Sequence, residues 1–128
     1  MGFFSNLKIM ADIDKARRSL PECIRKVNEA KSGIVRMQSL YDDTPSLAQP
    51  LRNAMLLVIA SDELVEQRHM AAGACCIALA TALRENKNKS VIGALVDATN
   101  FALDEAKAAR DCSDKNLAVF KHEFIHAK

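Results

Sequence analysis

The chain has no tryptophan, one tyrosine, three prolines and four glycines in 128 residues. So few turn formers exclude a fold of many short strands, and no window alternates apolar and polar residues at the strand period. The scarcity of glycine also fits the absence of a phosphate-cradling loop, a dinucleotide fingerprint and a Gly-x-Ser-x-Gly elbow, so enzymes built on those motifs are excluded. Cys23, Cys75, Cys76 and Cys112 show no C-x-x-C spacing. Neighbouring Cys75 and Cys76 would point about 100° apart on a helix, which suits small buried apolar residues better than a disulfide or a shared metal.

Long apolar runs are missing as well. The longest uncharged stretch, Met70–Leu83, is too short to span a bilayer, so no transmembrane segment is expected. No charged start leads into an apolar leader core, and Gly2 is followed at position 6 by Asn6 where a myristoylation motif needs Ser or Thr. A cytoplasmic location is expected. Charge is unsegregated: 8 basic against 6 acidic residues in Met1–Thr44, 3 against 4 in Pro45–Asn86, and 7 against 6 in Lys87–Lys128. With no basic face and few aromatics for base stacking, nucleic-acid binding is not expected.

What the chain does have is helical periodicity. Leu51, Met55, Val58, Asp62, Val65, His69, Ala72, Cys76, Leu79 and Leu83 recur at alternating steps of four and three, which places them on one helical face. The run Ala71-Ala72-Gly73-Ala74-Cys75-Cys76 is small and apolar on every side, so it belongs to a central helix or to an oligomer seam. Ser61-Asp62 or Gly73 offers a break. Upstream, a first helix is expected over about Ser5–Arg18, and Ser19-Leu20-Pro21-Glu22 reads as a capping box opening a second one. That second helix carries Ile24, Val27, Ala30, Ile34, Met37 and Tyr41 and stops at Asp42-Asp43-Thr44-Pro45. Ser90 can cap a further helix to about Asp111, and a last one follows Ser113. The expectation is an all-α single domain, residues 1–128, built as a mostly antiparallel bundle of four to six helices. Phe3 and Phe4 either staple onto the bundle or anchor it to a partner or a membrane surface.

Two constellations bear on chemistry. His122-Glu123-Phe124-Ile125-His126 resembles the H-E-x-x-H signature of zinc metalloproteases, in which two histidines one turn apart hold zinc and the glutamate is the general base. That resemblance covers five residues and makes His122 and His126 metal ligands and Glu123 the catalytic base. With Ala127 and Lys128 alone after the motif, the third ligand is expected upstream, at His69. Leu117, Phe120 and Phe124 mark the buried side of this helix, which turns both terminal histidines outward.

The pair Glu66-x-x-His69 and Glu123-x-x-His126 also resembles the ligand order of ferritin-like di-iron bundles, with Glu22 or Glu29 and Glu105 completing the set. Asp62, Glu66 and His69 interrupt or flank the central stripe on nearly one face and form the candidate binding patch. By elimination the leading reading is a non-catalytic protein–protein interaction module, an adaptor, inhibitor or regulatory subunit, binding another protein or itself without a cofactor. The second reading is a metalloprotein holding zinc or iron at His69, His122 and His126.

Overall fold

The computed structural model describes residues 3–126, with side chains from residue 7 onward. The expectations for Gly2, and for the side chains of Phe3 and Phe4, lie outside the described residues. The described residues form three helices, α1 (Phe3–Asp43), α2 (Gln49–Arg84) and α3 (Lys89–His126). At 41, 36 and 38 residues they run roughly 55–60 Å each. None is long and apolar enough to cross a membrane among the described residues.

The all-α class stands, but three helices replace the expected four to six. The two supposed boundaries fail for the same reason. Across Pro21 the apolar phase runs on without a slip through Ile13, Ala16, Leu20, Cys23, Val27 and Ala30, so both sides of the proline pack on α2 as one helix. That packing offsets the lost backbone donor and the ring clash, worth about 3 kcal/mol in an isolated helix. Ser19 does not cap; its hydroxyl donates back to the Lys15 carbonyl at 2.7 Å. On α3 the phase continues through Ala106, Ala109, Ser113, Leu117 and Phe120, and Ser113 is an inward polar position. Ser61 and Gly73 are likewise passed by an unbroken α2.

Three of the real ends carry caps. Arg52, on the first turn of α2, donates to the carbonyls of Tyr41 (3.1 Å) and Thr44 (2.7 Å) and lies 3.8 Å over the Tyr41 ring, closing the end of α1. After α2, Asn86 takes a left-handed φ of 55° while the Lys87 amide reaches back to the Ala82 carbonyl. Asn88, rather than Ser90, starts α3, its side-chain oxygen accepting from the Val91 amide at 3.0 Å.

The core is a column of four clusters that fixes the helix directions. At one end Ala16 meets Leu79 and Val96; at the other Met37 and Leu40 meet Leu51, Met55 and Phe120. Advancing along α1 therefore retreats along α2 and advances along α3, an up-down-up order. In between, the clusters consist of small residues, Cys23, Ala72 and Ala106, then Ala30, Val65 and Ala109. The helices close there into a waist. α1 and α3 each pack along α2 and barely touch one another, which makes α2 the central helix. Its ten-residue stripe is buried or half-buried at every position.

Candidate functional site

Because α1 and α3 meet chiefly through α2, the space between them stays open from the Ala30 and Val65 end of the waist onward. A groove of roughly 980 Å³ runs there from about Arg25 to Leu40 along α1. Its floor is apolar, with Val58 and Val65 from α2, Met37 from α1 and Leu117 from α3. Arg36 on α1, and Lys107, Asp111 and Asp114 on α3, stand along its margins. None of these four takes part in an ion pair among the described residues. Further along α1, Arg25 is tied to Glu22 and Glu29 on its own helix.

Asp62 lies on the floor, half-buried, and ties the three helices together. Its Oδ1 accepts a hydrogen bond from Ser113 Oγ of α3 at 2.6 Å. On the α1 side Gly33 leaves room for it: a Cβ at that position would stand 2.9 Å from Asp62 Oδ2. One interruption of the stripe is thus a polar link under an open groove.

His69, two turns away, has a different fate. It is 2% exposed, and its Nδ1 lies 2.7 Å from the Val65 carbonyl, which assigns the ring proton to that nitrogen. Burial pushes its pKa below the ordinary value, the Val65 hydrogen bond opposes that, and the cations of Arg110 and Lys26 add to the lowering. Glu66 is half-buried at the α1 border, its carboxylate 3.9 Å from Lys31 Nζ. Of the candidate patch, Asp62 faces the groove, Glu66 flanks α1, and His69 is sealed in the waist.

The metal constellation is not assembled. His69 is level with the waist, where Ala72 packs with Ala106 and Val65 with Ala109. His122 is thirteen residues beyond Ala109, about 20 Å along α3. Glu66 and Glu123 are separated by a similar distance, so the di-iron set is dispersed too. His122 and His126 sit outward and exposed with ring centroids 4.3 Å apart, as the helical phase predicts, whereas Phe124 is exposed rather than buried. No group of three potential metal ligands occurs among the described residues.

Burial raises the Cys23 thiol pKa and pushes that of Cys76 up to about 11, which fits packing thiols rather than reactive ones.

Sequence reasoning missed Gly33, Ser113 and Arg110. The readable signal was phase: each lies at an inward position of its helix, and Arg110 is half-buried with its Nε shielded and unpartnered. The sequence matches no protein-family profile, and no curated protein or solved structure is significantly similar to it.

Proposed function

We propose that this protein is a non-catalytic interaction module whose groove docks an amphipathic helix of another protein. The observation that carries this reading is the position of the groove. In an up-down-up trio whose outer helices meet mainly through the middle one, α1 and α3 occupy diagonal corners of a four-helix bundle, and the fourth corner is the groove. A helix laid there would cover Val58, Val65, Met37 and Leu117 with its own apolar stripe at i, i+3, i+4 and i+7. The groove's length along α1, about 22 Å from Arg25 to Leu40, accommodates roughly four turns.

The margins define the partner's flanks. Arg36 and Lys107 favour acidic residues on the incoming helix, and Asp111 and Asp114 favour basic ones. These charges set register and on-rate, while the apolar floor supplies most of the affinity. Asp62 is already engaged, one oxygen by Ser113 and the other against Gly33, and so belongs to the floor on which the guest would lie.

The test is selection from a displayed library of helical peptides against the intact protein. Enriched sequences are expected to carry the four-position apolar stripe with flanking charges of both signs. Their affinity for the Arg36→Glu/Lys107→Glu variant is expected to drop about tenfold or more. Enrichment of peptides that ignore this double reversal, or no enrichment at all, would overturn the assignment of the groove.

A further inference from the structure

A second opening lies on another part of the molecule and is independent of the groove reading. Between the first half of α1 and the last half of α2 is a slot of roughly 530 Å³. Its walls are Ile13, Ala16 and Leu20 on one side and Ile77, Leu79 and Leu83 on the other. No residue of α3 lines it. Ile77 is 54% exposed, so the apolar wall continues out to solvent.

The polar groups along this slot are of one sign. Arg17 belongs to the α1 wall and Arg84 to the α2 wall. Neither is paired with a carboxylate among the described residues, whereas Arg18 and Arg25 on α1 are; Arg84 donates only to the Thr81 hydroxyl at 3.3 Å. An apolar trough with cations alone along its edge is complementary to a molecule with an apolar body and an anionic end.

We infer that this slot binds a medium-chain carboxylate, with the acyl chain lying between Leu20 and Ile77 and the carboxylate at Arg17 and Arg84. The dimensions set the chain class. From Ile77 to Arg84 the wall is about 10 Å long by helical rise, which suits a medium acyl chain better than a long one. The volume falls within the range of small-ligand sites. A carboxylate suits the guanidinium groups because it accepts two charge-assisted hydrogen bonds in a plane.

Calorimetric titration of the full chain with decanoate, decanol and decyltrimethylammonium tests this. Decanoate is expected to bind, decanol at least tenfold more weakly, and the cationic amphiphile weakest of the three. Two variants at exposed positions separate the slot from its rim. Arg17→Glu/Arg84→Glu is expected to lose decanoate by about a hundredfold and to gain the cationic amphiphile, a gain that an unfolded protein would not give. Ala80→Trp, placed in the mouth of the slot, is expected to exclude all three.

Equal decanoate binding by wild type and the arginine variant would reduce the effect to adsorption on apolar surface and overturn the inference. Binding that survives Ala80→Trp but not the arginine reversal would place the anion outside the slot and overturn it too. No decanoate binding, with capture instead of a model amphipathic helix bearing a glutamate face, would give this face to a protein partner.

Discussion

His69 in the waist and Asp62 on the groove floor are two turns apart on α2, and their surroundings treat a polar residue in the same stripe in opposite ways. At the waist Cys23, Ala72 and Ala106 pack the three helices together, and His69 is enclosed with its Nδ1 proton donated to the Val65 carbonyl. At the groove α1 and α3 separate, and Asp62 keeps one oxygen bound to Ser113 while standing at the floor of an open channel. Residue size explains the difference. Small side chains from all three helices meet at the waist and allow closure, whereas the groove opens where α1 and α3 are joined chiefly through α2. The waist supplies order and the groove supplies access.

The largest effect comes from breaking the closure. Ala72 is fully buried between α1 and α3, so Ala72→Leu must push a helix outward and is expected to destabilise the protein by about 2–3 kcal/mol. Ser32→Leu, at an exposed position on the groove, is expected to change stability by no more than about 0.5 kcal/mol. Urea unfolding of both variants checks the contrast. Similar losses at the two sites would show that the waist is not the tighter part of the bundle.

A smaller effect tests the enclosure of His69. Its pKa is lowered in the folded state from an ordinary value of 6.5, so the unfolded chain binds a proton that the folded one resists. Stability from this group is therefore full above about pH 6.5 and falls as the pH drops toward the folded-state value, by up to about 1.4 kcal/mol per pH unit. The charged groups acting on the ring are Arg110 and Lys26, which lower its pKa, and Glu22, which raises it. Urea midpoints measured between about pH 7.5 and 5.5 are expected to decline in wild type and to decline less in His69→Gln. Parallel curves would mean that His69 is open to solvent.

Periodicity made the central stripe legible because burial on one helical face leaves a direct trace in residue order. Helix number was less legible, since local signals at Pro21, Ser19 and Ser113 imitate boundaries that tertiary packing overrides. The H-E-x-x-H motif matched a pattern, but only the level of His69 in the bundle separates it from His122. The groove depends on the distance between helices remote in sequence, which no local motif encodes. Its nearest sequence trace was polar or glycine residues at inward positions, such as Gly33, Ser113 and Arg110.

The smallest predicted effect sharpens the comparison most, because it asks whether Gly33 is kept small for Asp62. A glycine inside a helix costs about 1 kcal/mol relative to alanine, so Gly33→Ala should stabilise α1 if nothing else changed. Here the new Cβ would stand 2.9 Å from Asp62 Oδ2, and the carboxylate can move aside only by weakening its bond to Ser113. A hydrogen bond to a charged group contributes about 1.5–3 kcal/mol, enough to cancel the helical gain. Gly33→Ala alone is therefore expected to be neutral to mildly destabilising, whereas the same change in an Asp62→Ala background should stabilise by about 1 kcal/mol. Denaturation of the four proteins gives the coupling directly. Additive effects would mean that Asp62 moves freely and that Gly33 is small for some other reason; a coupling of about 1 kcal/mol or more would make the pair a built-in support of the groove floor.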